Sequence, residues 1–473
     1  MAPIAYSTIM AAGDTSGAKL AGWIASRLRS HGALAYYVGG CVRDLLLGRV
    51  PKDYDIATDA PPARILELFP DSRQAGAHFG VMLVRRAGAE VEVATFRSER
   101  SYQDGRHPGH VQFETDPRQD VLRRDFTINA LLQDPATGEV LDFAGGHADL
   151  DAGLVRAIGE PESRFGEDHL RMLRAVRLAA SLRFRIEPRT MSAIRRMAAS
   201  IHRVAAERIA DEVARILTEG GTRRGLELLD ESGLLLELLP EVWATKGVEQ
   251  PPEFHPEGDV WTHTLMMLDM LRDPSLTLAL GVLLHDVGKP PTFSVQDRIR
   301  FDGHAALGAK MAAGILDRLR FSSRVIDTVE ALVADHLRFK DVKQMRESTL
   351  RRFLRQPHFG ELLELHRLDC LASHGWLDNY EFVRSKQREL PPERLRPARL
   401  VTGNDLIQAG YQPGPAFREA LNAVEDAQLE SRIHTREDAM AVVRQILGSP
   451  VGPSDRPVGE DHVEDHGHDR EDG

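Results

Sequence analysis

Two hydrophobic periods follow one another along the chain, and the change between them divides it. Lys19 to Arg29 repeats at helical spacing, with Leu20, Ile24 and Leu28 on one stripe. Shorter apolar runs come next. Val38-Gly39-Gly40 reads as a strand end and a glycine turn, Cys41 to Asp44 as a helix start, and Lys52-Asp53-Tyr54-Asp55 as a second strand. Pro61 and Pro62 open a predicted helix from Ala63 to Phe69, with proline in the first turn. Val81 to Val84 and Val91 to Phe96 read as strands joined at Gly88. Arg97 to His110 is polar and glycine-containing and predicts a mobile loop, either a substrate clamp or a plain connection. Strand patterns return at Val140 to Phe143 and Val155 to Ile158, then nearly vanish after Pro161. From Glu167 to about Thr218 the spacing is helical, and further helical segments continue to residue 447.

This order predicts an α+β protein, with a head of small mixed sheet and helices followed by an all-helical remainder. The expected divisions are an N-terminal helix and extension (1–33), the head (34–160), a helical neck and body (161–250), a metal-binding helical domain (251–380), a helical tail (381–447) and a disordered acidic end (448–473). Pro391 to Pro397 reads as a linker, and Thr402 or Asn404 as the cap of the next helix.

At 473 residues the chain exceeds a single core, which agrees with several domains. No apolar run reaches membrane-spanning length and no signal-peptide pattern opens the chain. Two cysteines, Cys41 and Cys370, lie far apart and form no zinc pattern, which predicts a reducing, cytoplasmic setting. The net charge of −11 is misleading as an average. Asp455 to the end holds eight acids and two Arg, whereas Arg171 to Arg224 holds thirteen Arg and five acids, a local +8. Such a basic block suits a phosphate backbone.

Candidate chemistry begins at the glycine turn. Asp53 and Asp55 stand two apart, so on a strand both share one face, and two hard oxygen ligands suit Mg²⁺. Gly39 and Gly40 let backbone N–H groups approach an anion, and Arg43 can grip a phosphate. Glu92, a lone charge in a strand-like run, is either a third carboxylate or a solvent-facing side chain. Arg123-Arg124-Asp125 suits a triphosphate and a ribose hydroxyl, and Asn129 can hold a loop by its amide. On a continuous helix Asp168, Arg171 and Arg174 share a site, with Arg177 at its margin. An Asp–Arg pair can accept the amino group and donate to the ring nitrogen of cytosine or adenine, and uracil and guanine present the opposite order.

Four ordered motifs, GGCVRD, KDYD, RRDFTINA and EDHLRMLRAVR, resemble those of the class II nucleotidyltransferases of the DNA polymerase β superfamily: bacterial tRNA CCA-adding enzymes and poly(A) polymerases. The resemblance covers at least residues 34 to 240. It implies a polymerase-β-like nucleotidyltransferase head followed by helical neck, body and tail. It implies that Asp53 and Asp55 bind the catalytic metals, that Gly40, Arg43 and Arg124 hold the nucleotide, and that Asp168, Arg171, Arg174 and Arg177 form the base-reading and triphosphate side. The loop after Arg97 is similar to the family's flexible head loop.

Further on, His263 sits on a predicted helix, and His285-Asp286 follows an apolar helix, with His304, His336 and Asp369 downstream. His and Asp suit borderline and transition metals. The set resembles the HD phosphohydrolase domain. It implies one divalent metal on His263, His285, Asp286 and Asp369, with His304 and His336 completing a second. His462, His466 and His468 add three histidines near the end. The expected function is addition of C and A from CTP and ATP to the tRNA 3′ end, with tRNA as partner. The alternatives are a poly(A) polymerase, an A- or CC-adding enzyme, or an HD-type phosphohydrolase.

Overall fold

The computed structural model describes residues 16–76, 80–102 and 108–449. The extreme N-terminus, the tip of the segment after Arg97, and the acidic end with its three histidines lie outside the described residues.

Helix α1 (Ser16–Ser30) buries Leu20, Ile24 and Leu28, as its stripe requires. Strand β1 (Ala35–Val38) runs into α2 (Gly40–Leu46), and β2 (Asp55–Thr58) and α3 (Pro62–Leu68) follow. The strands β3 (Arg73–Gly76), β4 (Val81–Arg86) and β5 (Ala89–Thr95) come next. β4 and β5 form the expected hairpin, in register from Val81↔Ala94 to Arg86↔Ala89. The segment predicted as a mobile loop departs from expectation. Its described parts are β6 (Arg97–Tyr102) and β7 (Pro108–Phe113), an antiparallel ribbon with Arg97 opposite Phe113 and Tyr102 opposite Pro108. From Arg97 to His110 the sequence is mostly polar, which leaves no apolar alternation to read.

Helix α4 (Pro117–Leu122) is capped by Asp116, and a 3₁₀ turn over Thr127–Asn129 leads to β8 (Leu131–Gln133) and β9 (Val140–Asp142). The head is a seven-stranded mixed sheet in the order β3-β4-β5-β2-β1-β8-β9. Only the β2–β5 pairing is parallel. Val38, Ala57, Phe96, Val121, Ala130, Leu132 and Ile158 form one core under it.

After α5 (Gly146–Asp151) and β10 (Leu154–Val155), the chain is helical but not continuously so. Helix α6 (Pro161–Glu167) stops at Asp168, whose backbone is extended (φ −151°, ψ 106°), and α7 (Arg171–Leu182) starts anew. Strand β11 (Arg185–Ile186) pairs in parallel with β10, and α8 (Pro188–Met197), a 3₁₀ segment and α9 (Ala206–Thr218) complete the neck. The expected single helical run from Glu167 is therefore corrected. Asp168 spends its Oδ1 on the Leu170 N–H at 3.1 Å, which closes a turn rather than extending a helix.

Helices α10 (Thr222–Glu231), α11 (Leu234–Leu238), α12 (Pro240–Trp243), α13 (Val260–Asp269) and α14 (Leu276–Leu284) follow. Then come α15 (Lys289–Thr292), a small hairpin of β12 (Phe293–Val295) and β13 (Ile299–Phe301), α16 (His304–Arg318) and α17 (Ser323–Asp335). That hairpin interrupts a stretch expected to be all helix. By compactness, the described residues up to 336 together with 364–375 form one unit, and 337–363 with 376–449 form another. Within the second unit Thr402, not Asn404, caps the helix Gly403–Gln408 through a reciprocal box with Asp405. The predicted linker holds a single helical turn, Pro392–Leu395. No described helix is long and apolar enough to cross a membrane.

Candidate active site and metal centre

The corner between β1 and α2 sets the head site. Gly39 holds φ 77° and ψ −135°, a backbone region that side chains other than glycine avoid. A Cβ there would stand 3.5 Å from Arg124 Nη1 and 3.9 Å from Asp55 Oδ2, so the turn, the arginine and the carboxylate converge. Asp55 is the first residue of β2, and Asp53 lies just outside the strand. The parallel β2–β5 register sets Glu92 directly opposite Asp55, which puts both side chains on one face. Glu92 thus shares a face with Asp55 while remaining exposed to solvent. Burial first, and the Glu92 charge second, push the Asp55 carboxyl up to about 6 against the pull of Arg124. An all-oxygen set that repels itself this way fits a hard divalent cation.

The arginines are individually seated. Arg124 gives Nη2 and Nε to Asp120 Oδ2 at 2.9 and 3.2 Å, and Arg123 gives Nη2 and Nε to Oδ1 at 2.6 and 3.0 Å. Asp120 is buried, and these guanidiniums outweigh its burial and hold its carboxyl below the usual range. The sequence reading did not single out Asp120. Its signal was present, because Asp120 precedes the two arginines by three and four residues at the end of a helix. Arg43 Nη1 donates to Asn129 Oδ1 at 2.8 Å, and Asn129 Nδ2 reaches Asp125 Oδ1 at 3.5 Å. Asp125 Oδ2 lies 2.7 Å from Arg174 Nη2. Burial would raise the Asp125 carboxyl, but Arg174 and Arg171 hold it low. A chain of polar contacts therefore runs from α2 through the head to α7.

The neck residues are held by partners that the sequence reading did not name. Arg208 of α9 holds Asp168, Nη2 to Oδ2 at 2.8 Å. Arg171 meets Glu167 and the Arg164 carbonyl. Arg164 itself donates to the carbonyls of Leu122 and Arg123 at 2.9 and 3.1 Å. Arg177 is buried against Glu212 (2.6 Å) and Glu219 (3.2 Å), a link between α7 and α9.

A cleft of about 470 Å³ opens between these parts. Of the expected residues, Gly40, Arg43, Asp53, Asp55, Asn129, Arg174 and Arg177 line it, joined by Arg49, Lys52 and Arg215. Gly39, Arg124, Asp125, Asp168 and Arg171 are not among its walls. A larger cavity, about 670 Å³, lies where α7, α9, α10 and α13 meet. It is lined by Arg183, Arg185, Arg223, Arg224 and Arg272 but lacks the glycine turn and the paired carboxylates.

The second cluster is tighter. His263 comes from α13, His285 and Asp286 from the end of α14, His304 from the start of α16, His336 from the end of α17, and Asp369 from the helix Phe359–Ala372. Gly288 lets the turn after Asp286 pack on α16, since a Cβ there would fall 2.2 Å from the His304 carbonyl oxygen. His285 Nε2 lies 3.0 Å from Asp286 Oδ2, His263 Nε2 3.1 Å from Asp369 Oδ1, and His304 Nε2 3.6 Å from Asp286 Oδ1. His336 Nε2 is 4.0 Å from Asp286 Oδ1, and Lys289 Nζ is 2.7 Å from Oδ2. Asp286 Oδ1 and the Nε2 atoms of His263, His285 and His304 are buried with no hydrogen-bond partner beyond the carboxylates they face, while Lys289 neutralises Asp286 Oδ2. Buried polar atoms rarely stay unsatisfied, and four in one place with the donor types of a transition-metal site fit a divalent cation. Burial and the neighbouring His285 depress His336 to about 4, which keeps its ring neutral. Among the described residues, the close groups of three such ligands all involve this cluster and its neighbours His255 and Glu257.

A mixed sheet carrying paired carboxylates at a glycine corner, with seated arginines facing a helical neck, defines a nucleotidyltransferase head. The comparisons agree part by part. Residues 35–156 match the poly A polymerase head domain, 183–246 the probable RNA- and SrmB-binding site of polymerase A, and 259–372 the HD domain. The CCA-adding enzyme of Limosilactobacillus fermentum is 31% identical over 414 residues, covering 87% of this chain and 92% of the relative. The CC-adding tRNA nucleotidyltransferase of Thermus thermophilus is 34% identical over 442 residues, covering 89% and 97%. The crystal structure of the Bacillus stearothermophilus CCA-adding enzyme in complex with CTP superposes with a TM-score of 0.71 at 27% identity, covering 91% of this chain and 98% of that one. The chain belongs to the family of CCA-adding enzymes and related tRNA nucleotidyltransferases. It is a nucleotidyltransferase, and both its head and its HD domain are of divalent-metal-dependent kinds.

Proposed function

We propose that the protein extends the 3′ end of tRNA with C and A from CTP and ATP, releasing pyrophosphate. The observation that carries this reading is the convergence of Gly39, Asp55 and Arg124 in a chain that spans nearly the whole length of CCA-adding relatives. Asp53, Asp55 and Glu92 would hold Mg²⁺. Bound there, the cation would acidify the primer 3′-hydroxyl and neutralise triphosphate charge for an in-line displacement. Arg43 and Arg124, braced by Asn129 and Asp120, keep fixed positive charge beside the glycine turn, where the triphosphate would lie. Arg174 is held toward the cleft by Asp125. The arginine-rich neck would take the RNA by its phosphates and shape. A cytoplasmic site of action suits such a substrate.

A tRNA lacking its CCA end, given labelled CTP and ATP separately and together, tests the reading. Ordered addition of C, C and A that then stops supports it. Long A tails, or two C residues with no A, would refute CCA addition. Asp53→Ala/Asp55→Ala should abolish transfer and leave the HD cluster intact.

The buried, unsatisfied His/Asp cluster favours a second activity, hydrolysis of a phosphoester at a metal-bound HD centre. Phosphatase or 2′,3′-cyclic phosphodiesterase activity that survives Asp55→Ala and is lost in Asp286→Ala supports it. Hydrolysis absent from the metal-loaded wild type refutes it.

A further inference from the structure

The histidines of the HD cluster share an arrangement with one exception. His285, His304 and His336 each hold Nδ1 against the backbone carbonyl three residues earlier: Val282 at 2.8 Å, Phe301 at 2.8 Å and Val333 at 2.7 Å. A carbonyl only accepts, so the network assigns the ring proton to Nδ1 and leaves Nε2 bare toward Asp286. His263 differs, with a carboxylate at each ring nitrogen, so a cation that takes Nε2 would leave its proton on Nδ1. Its Nδ1 lies 2.6 Å from the carboxylate oxygen Oε1 of Glu257. His255 Nδ1 meets that same oxygen at 2.9 Å, and its ring stands edge-on to His263 at 5.1 Å. Glu257 belongs to the loop before α13, and its side chain is 4% exposed. Its second oxygen, Oε2, is buried without a hydrogen-bond partner.

We propose that Glu257 is the positioning residue of the HD metal centre, committing His263 to metal binding through an anionic hydrogen bond that the other three histidines lack. A carboxylate behind a ligating imidazole fixes its tautomer and orientation and raises its basicity. Of the four, His263 also faces Asp369, the ligand supplied from furthest along the chain. Glu257 therefore sets the strength of the centre at the point where that last ligand joins. His255 steadies the carboxylate from its other side. This inference rests on reading the cluster as a divalent-metal site.

The test uses the full chain carrying Asp53→Ala/Asp55→Ala, so that the head contributes no site, stripped of metal and titrated with Mn²⁺ by calorimetry. Glu257→Gln keeps the shape and an accepting oxygen but removes the charge. It should weaken Mn²⁺ binding about 10- to 100-fold while the metal-free melting temperature stays unchanged. A role confined to anchoring the loop predicts the same affinity as the parent, and that result would overturn the proposal. If the Gln variant melts lower, Glu257→Asp becomes the comparison: it retains the charge and must bind Mn²⁺ more tightly than Gln. Equal affinities would again overturn it. Absence of Mn²⁺ binding in the parent would instead refute the metal-site reading beneath it.

Discussion

Replacing Asp120 by Asn removes the charge that seats two arginines at once. Its carboxylate takes four contacts of 2.6–3.2 Å from Arg123 and Arg124, with 1% of its side chain exposed against 18% for each arginine. Removing one partner of a buried ion pair costs about 3–5 kcal/mol, because the other charge is left uncompensated. Here both guanidiniums keep some access to water, which absorbs part of that loss, so the lower end applies, about 3 kcal/mol. Asn still accepts at one oxygen, but its amide presents a donor to the other guanidinium. In a chain of more than one unit a single melting curve mixes transitions, so hydrogen exchange of the head strands is the cleaner measure. Protection in β1 and β8 should fall about 100-fold, which is what about 3 kcal/mol means. Arg124 loses its seat beside the glycine turn, so the KM for nucleotide should rise as well. Unchanged exchange together with unchanged KM would refute the bracing role.

The same carboxylate shapes the acid limb. Its folded pKa is below the unfolded one, so its stabilisation is complete above about pH 4 and is lost as pH falls toward the folded value; acid titration of Asp120→Asn should lack this component. Gly288→Ala drives a Cβ to 2.2 Å from a backbone oxygen, so the turn after Asp286 must shift; Mn²⁺ binding at the HD cluster should fall while transfer by the head persists. Arg208→Ala frees Asp168 from its 2.8 Å partner, and a changed ratio of C to A incorporation with little change in melting would mark Asp168 as a base-facing residue. Adding EDTA to metal-loaded protein should lower the melting temperature of the wild type by mass action but not that of Asp286→Ala.

Much of this was open to reading in the sequence, and the failures have physical causes. The glycine corner with Asp53 and Asp55 was legible because φ above zero and paired carboxylates restrict residue choice so tightly. The HD cluster was legible because His and Asp in that order seldom serve packing. Glu92 was undecidable until the parallel register set it opposite Asp55, since one strand does not reveal its neighbour. The continuous helix from Glu167 failed because Asp168 bonds the backbone two positions on with its side chain. The β6–β7 ribbon failed because its largely polar sequence offers no apolar alternation to read. Glu257 and His255 escaped notice because a loop residue acquires its meaning from the helix it lies against.

The contacts that cross from head to neck bear on how such proteins can be recombined. A graft made near residue 160, where strand patterns end, would separate Asp125 from Arg174 and the Leu122 and Arg123 carbonyls from Arg164. A foreign neck would then have to bring its own arginines to both places, at matching height along the joint. The interchangeable part of this chain is therefore larger than its sequence boundary suggests: the head travels with α6 and α7 or arrives with its arginine turn unsupported.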